Sequence, residues 1–155
     1  MSPLVDALES CRREEDPWAS ALVRILAHFR ADSGTIHLMG PDGALHLQTA
    51  TAGIPPAVIE KVRVVPVGKG MAGLAAERRQ PVHICNIQTD TSGDVRPGAK
   101  ATGMEGAIAV PMLSGGEVAG VLGVANRAER TFTPDEVASL LEAGRTLAAW
   151  RSPGV

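Results

Sequence analysis

The sequence predicts an α+β fold. Three observations carry that expectation: apolar stripes at helical spacing near both ends, two segments where the period changes from about 3.6 to 2, and a glycine-punctuated unit between them. The chain of 155 residues is 45% hydrophobic, enough to bury a sizeable core, and reads as one globular domain over 1–155, with its core at about 17–150 and an N-terminal helix in 1–16.

At the N-terminus, Leu4, Val5, Leu8 and Cys11 fall on one helical face, which ends in the charged run 12–16. Asp16 as N-cap with Pro17 at the first helical position starts a second helix. Trp18, Leu22, Ile25, Leu26 and Phe29 form its stripe, and Gly34 is its expected stop. Ile36 and Leu38 then alternate with His37 and Met39, and Leu45 and Leu47 alternate with His46 and Gln48, across Pro41-Asp42-Gly43. A two-residue Asp42-Gly43 turn sets Leu38 opposite Leu47 and Met39 opposite His46, so the apolar residues share one face. The stretch 51–56 breaks the strand, and 57–61 is a brief helical turn.

Next comes the unit on which the chain is centred. A β-branched run, 62–67, reads as a central strand; Gly68, Gly70 and Gly73 follow, then a helix over 71–79 and a short strand from Val82. Glycines at that junction permit a sharp turn and leave the first N–H groups of the helix open to an anionic or hydrogen-bond-accepting atom. They equally serve to seat the helix close to the strand. The spacing fits the G-x-G-x-x-G dinucleotide fingerprint, with Asp90 about 20 residues on. Against this, the chain is short for two βαβαβ halves and the flanking segments read as hairpins.

Periodicity is lost from Asn86 to Glu105, a length expected of a lid or pocket wall. A second hairpin spans 107–112 and 118–125 with Ser114-Gly115-Gly116-Glu117 as its turn, and Gly120 and Gly123 mark a close approach. Thr133-Pro134-Asp135-Glu136 is a capping box that opens the closing helix, whose stripe is Val137, Leu140, Leu141, Leu147 and Ala148, with Gly144 on the same face.

Composition excludes several classes. A formal net charge of -2 offers no basic field for nucleic acid, and no apolar run approaches a membrane span. Two distant cysteines, Cys11 and Cys85, make no disulfide framework, so a reducing cytoplasm is the expected setting.

The order of helix, hairpin, strand, G-K-G-M-A-G, short strand, long loop, G-M-E-G-A-I-A-V-P-M, G-G-E-V-A-G-V-L-G-V-A-N-R and F-T-P-D-E into a final helix resembles a GAF domain over about 17–150. The resemblance implies a PAS-like antiparallel sheet of five or six strands. Terminal helices lie on one face and a small-molecule pocket on the other, walled by the post-glycine helix and the long loop. It implies a sensory, bacterial-type signalling role with a kinase or regulator as partner.

Each subtype of that family depends on its own residues. Asn126, Arg127, Phe132, Asp135 and Glu136 resemble the N-K…F…D-E signature of cyclic-nucleotide binders, with Arg for Lys and a shortened spacing. Arg127 paired with Asp135 or Glu136 reads better as a clamp between strand and helix. Bilin carriage is not supported by two Phe, two Trp and no Tyr, nor is a metal or haem site by His37, His46 and His83 without a third ligand at fixed spacing. No cofactor is expected. Free methionine-(R)-sulfoxide reductases of this family need an attacking thiolate and resolving cysteines, and Ala72 stands where they carry a cysteine in the glycine turn. With no Ser-His-Asp order, paired carboxylates or P-loop, the chain is expected not to be an enzyme. A scaffold with a vestigial pocket and a degenerate relative of the reductases are the alternatives.

The expected binding residues for an unidentified small molecule or anion are Gly70, Met71, Ala72, Gly73, His83, Asn86, Asp90 and Met104. The first helix and the closing helix, ending near Trp150, carry more apolar surface than one sheet face covers, which predicts a homodimer through the terminal helices.

Overall fold

The computed structural model describes residues 2–95 and 97–151. The chain runs α1 (Pro3–Cys11), α2 (Pro17–Phe29), β1 (Ser33–Met39), β2 (Leu45–Ala50), α3 (Pro56–Val62), β3 (Val64–Val65), α4 (Gly70–Arg78), β4 (Val82–Ile84), a 3-10 helix (Pro97–Thr102), β5 (Gly106–Ser114), β6 (Glu117–Asn126) and α5 (Pro134–Arg151). The six strands form one sheet in the order β3-β2-β1-β6-β5-β4, and each adjacent pair is antiparallel. This is the expected α+β antiparallel architecture.

The strand period of 2 divides the core in two. Ile36 of β1, Ile108 and Val110 of β5, and Leu122 and Val124 of β6 pack against α1, α2 and α5. Ala109 of β5, Val121 of β6 and Leu45 of β2 pack on the opposite face with α4 and Val65. Gly144 lets α5 lie close on β5: a Cβ there would stand 3.3 Å from the Pro111 carbonyl oxygen and 3.4 Å from Met112 Cα.

The structure corrects four sequence expectations. First, α2 stops at Phe29, where Arg30 adopts φ 54° and Ala31 N–H donates to the Leu26 carbonyl at 2.9 Å. Gly34 lies inside β1, where a Cβ would meet the Gly123 carbonyl oxygen at 2.7 Å. Second, the first hairpin pairs His37 with Leu47, Leu38 with His46 and Met39 with Leu45. The loop is longer than two residues: Gly40 N–H donates to the Ala44 carbonyl and Gly43 N–H to the Gly40 carbonyl. That one-residue difference sends Leu38 to the helix side and Leu45 to the other, and an irregularity between Ile36 and His37 restores Thr35 opposite Ala50.

Third, the β-branched run after α3 yields only the two-residue β3 at the sheet edge. Pro66, which has no N–H to give a ladder, and the glycine turn end it. Fourth, the terminal helices cover one another within the chain. Leu4 is 4% exposed and Leu8 and Cys11 are fully buried, while Trp150 packs against Trp18 in a tilted pair, centroids 5.0 Å apart and planes at 57°. The large exposed apolar residues among those described are Val23, Val64 and Val67, none of them in α1 or α5.

Candidate functional site

A cavity of about 490 Å³ opens on the sheet face away from α1, α2 and α5. Its floor is built from alternate residues: Thr35 and His37 of β1, Gly123 and Ala125 of β6, and Ala107 and Ala109 of β5. The cross-strand register sets Thr35 beside Gly123 and Ala109 on the other side of it, so small side chains meet in the middle of the floor and leave the space empty. The walls come from Val58 and Lys61 of α3, from Lys69 and the first turn of α4, and from Ile87, Val95, Ala99, Thr102 and Met104 of the long connection.

That connection is tied down. Ile87 N–H donates to the Glu105 carbonyl at 2.6 Å, and Gln88 Nε2 donates to the carbonyls of Met104 at 2.8 Å and Lys100 at 3.1 Å. Asn86 Nδ2 bridges Glu105 and Glu129 at 3.0 and 2.9 Å. Arg78 of α4 reaches Asp94 at 3.3 Å.

The glycine junction works in two ways. Gly68 and Gly70 have φ of 92° and 68°, a region L side chains rarely occupy, and they turn the chain into α4. Gly73 is buried and serves packing: its carbonyl accepts from Gly68 N–H at 2.8 Å, and a Cβ would collide with the Pro66 carbonyl oxygen. The first N–H groups of α4 have no side-chain cap, because the N-cap residue is Lys69, which carries no acceptor.

Of the residues expected at the site, Gly70, Met71, Ala72 and Met104 line the cavity. The other four lie outside its lining. Gly73 faces the turn behind it, and His83 is exposed on β4. Asn86 is occupied in fastening the loop, and Asp90 accepts from Ser92 Oγ at 2.7 Å.

Sequence reasoning missed Lys61 and Lys69 as lining residues, and it weighed His37 as a half-buried hydrogen-bonded strand residue or a metal ligand. The alternation in β1 lets His37 share the pocket face with Met39, and His37 does line the cavity. His37 is 3% exposed, the one buried polar or charged residue among those described. Its Nε2–H donates to the Val62 carbonyl at 2.8 Å, tying the end of α3 to the sheet. That leaves Nδ1 as an acceptor, and it is buried without a partner. Burial holds the imidazole below its ordinary pKa, with the neighbouring His46 adding to the effect against the opposing bond to Val62, so the ring is neutral at pH 7. Among the described residues no group of three or more His, Cys, Asp or Glu is placed to hold a metal ion.

The thiols lie outside the cavity lining. Cys11 is buried under the helices, and burial first, then Glu14, pushes its pKa up. Cys85 is exposed just beyond β4, and Thr131 Oγ1 donates to its sulfur at 3.5 Å.

The clamp at the start of α5 is made by a different arginine from the one the sequence suggested. Arg130 Nη2 meets Glu136 at 2.6 Å, its Nη1 meets Asn126 Oδ1 at 2.8 Å, and its guanidinium lies 4.2 Å over Phe132. Arg127 instead donates its backbone N–H to Asp32 at 2.8 Å. Arg130 sits in the irregular link between β6 and α5, three residues nearer the helix start than Arg127.

A curled antiparallel sheet with helices on one face and an apolar cavity under a helix N-terminus on the other defines a class of sensory and regulatory modules. A GAF domain family model matches residues 15–149, and the chain belongs to the GAF domain family. No curated protein matches it in sequence. Among solved structures, the GAF domain of an Acinetobacter phosphoenolpyruvate-protein phosphotransferase aligns with a TM-score of 0.77 at 19% identity, over 96% of this chain and 93% of that one. Free methionine-R-sulfoxide reductase from Neisseria meningitidis, in complex with its substrate, aligns with a TM-score of 0.75 at 18% identity, over 94% of this chain and 84% of that one. The Staphylococcus aureus reductase with substrate follows at 0.71 and 16% identity, over 94% and 92%.

The two reductases correct the expectation that the chain is not an enzyme. They show that this fold, over most of both chains, carries catalysis, whereas the sequence argument rested on missing thiol and triad patterns. At these identities the likeness itself establishes the fold.

Proposed function

We propose that this chain is a small-molecule-binding sensory module, whose ligand occupies the cavity between the sheet, α3, α4 and the 86–105 connection. One observation carries the reading: a cavity of about 490 Å³ with apolar walls meets an uncapped helix N-terminus. Its volume lies in the range of small-molecule sites, about 300–1,000 Å³. Binding between α3, α4 and the connection draws these elements together. The change reaches α1, α2 and α5 through the shared sheet, which fits action on a signalling partner such as a kinase or regulator.

The alternative is a scaffold whose pocket stays empty. A thermal-shift panel of cyclic nucleotides, amino acids, 2-oxoacids, hydroxyacids and inorganic anions separates the two, because a ligand of the folded state raises its melting temperature by mass action. Saturable shifts that disappear in Ala109→Trp, a variant that fills the floor, support the sensor. No shift with any member of the panel supports the scaffold.

A further inference from the structure

Resting on that reading of the cavity as a ligand site, we infer that Gly123 sets its specificity: the ligand seats an uncharged aliphatic body against the bare backbone there and keeps any charged group it carries at the open mouth. Glycines lie inside strands at 34, 106, 120 and 123. Glycine weakens a strand relative to alanine, so each position needs a reason, usually a bulge, a bend, or something that passes close to the backbone. Three of them find that reason inside the protein. A Cβ at Gly34 would stand 2.7 Å from the Gly123 carbonyl oxygen, one at Gly106 would stand 2.7 Å from the Arg130 nitrogen, and one at Gly120 would collide with the His37 carbonyl oxygen.

Gly123 has no such reason among the described residues. Its φ is not positive, and the ladders run through it in unbroken register, with Thr35 opposite on one side and Ala109 on the other. The irregularity between β5 and β6 lies elsewhere, at Met112 and Leu113. Beyond its chain neighbours, a Cβ at Gly123 would meet only Thr35 Oγ1 at 3.4 Å and the Ile108 carbonyl oxygen at 3.9 Å, which is ordinary van der Waals contact. Alanine would fit. What stands over Gly123 is the cavity, so the group that approaches its backbone is the ligand's.

The lining also fixes the polarity of that group. Thr102 Oγ1 donates to the Ala99 carbonyl and accepts from Met104 N–H, and His37 Nε2–H is committed to Val62. The hydroxyls of Ser33 and Thr35 remain, outside the hydrogen bonds that hold the neighbouring Gly34, His37 and Thr51. A neutral hydroxyl does not offset the desolvation of a carboxylate or an ammonium. Lys61 and Lys69 are exposed, and among the described residues no carboxylate lines the cavity, so a charged group stays in the water at the mouth. Val58, Met71, Ile87 and Met104 wall the space above the floor, with no Phe or Trp in the lining, so the body they enclose is aliphatic.

Isothermal titration of the whole chain with hexan-1-ol, hexanoate, 6-aminohexanoate and adipate tests this, because a charge at each end of a six-carbon chain forces one of them onto the floor whichever way the chain enters. Hexan-1-ol or hexanoate should bind saturably, about tenfold or more tighter than 6-aminohexanoate and adipate. Gly123→Ala should weaken that binding about tenfold or more, the effect of one misplaced methyl in an apolar pocket, while the melting temperature of the ligand-free protein stays the same or rises. A glycine kept for the fold alone would give the opposite pair of results. A lowered melting temperature or loss of folding in Gly123→Ala would overturn the inference. So would 6-aminohexanoate or adipate binding as tightly as hexanoate, or affinity indifferent to Gly123→Ala and lost in Ala109→Trp, and both of these leave the cavity a ligand site. Failure of all four probes to bind would also overturn it, and the reading of the cavity falls with it only where the thermal-shift panel is silent as well.

Discussion

At the scale of single residues, His37 is where the fold has most at stake. A protonated imidazole needs two acceptors, and this site supplies one, the Val62 carbonyl, with Nδ1 buried and facing none. Burial lowers the folded-state pKa from an ordinary value of 6.5. The sign follows: below that ordinary value the unfolded chain takes up a proton that the folded chain resists, so stability is complete above pH 6.5 and declines as pH falls from there toward the lowered folded value. Urea unfolding at pH 7.5 and 5.5 should show a lower midpoint at pH 5.5, and His37→Gln should flatten the difference. The neighbouring His46 acts in the same direction as burial, and the bond to the Val62 carbonyl acts against both.

At the scale of elements, α5 shows how local sequence and distant contacts share one device. Thr133 Oγ1 accepts from Glu136 N–H at 3.1 Å and Glu136 Oε1 accepts from Thr133 N–H at 2.9 Å, the reciprocal capping box read from the sequence. Glu136 also holds Arg130, which fastens the end of β6. The bond from Thr133 N–H, and then Arg130, hold the Glu136 carboxyl below its ordinary pKa, so its contribution is present above pH 4.5 and is lost as pH falls below it. Thr133→Ala should cost about 1 kcal/mol by loss of the cap. Glu136→Gln should reduce the acid sensitivity of unfolding between pH 5 and 3, roughly the carboxylate range. Chemical denaturation of both variants across that range checks the two effects together.

For the whole molecule, the helical layer is the part whose meaning changed most between sequence and structure. The stripes of α1 and α5 bury each other and α2 in a single chain, with Leu8 completely enclosed. Leu8→Ala should therefore act as a core truncation, costing about 2–5 kcal/mol, the range for a buried leucine that leaves a cavity. Thermal or urea unfolding measures it, and a change within a few tenths of a kcal/mol, the usual size of surface effects, would mean that Leu8 is not enclosed. Two bonds fasten this layer: Arg151 donates to the Met39 carbonyl of β1 at 2.7 Å, and Ser2 Oγ donates to Glu142 of α5 at 2.9 Å.

The sequence by itself determined what depends on near neighbours. Asp16-Pro17 started α2, the Thr133 capping box started α5, Gly115-Gly116 turned β5 into β6, and the glycines at 68 and 70 turned the chain into α4. Each of these is a local conformational preference, complete within a few residues. The antiparallel architecture was legible because period-2 alternation and helical stripes are written along the chain. What lies across the chain was not. The slip of one residue in the first hairpin depended on the hydrogen bonds of its loop, and the choice of Arg130 over Arg127 on the path from β6 to α5. The covering of α1 depended on where α2 and α5 lay. The candidate site divides in the same way. Gly70, Met71 and Ala72 were readable as an open helix start, while Thr35, Gly123 and Ala109 became its floor only when three strands came into register. Nothing in the sequence singled out Lys61 and Lys69 as site residues, and the fold sets both beside one apolar cavity, because a solvated charge and a charge beside a cavity look alike in a sequence and differ only in what the tertiary structure puts opposite them.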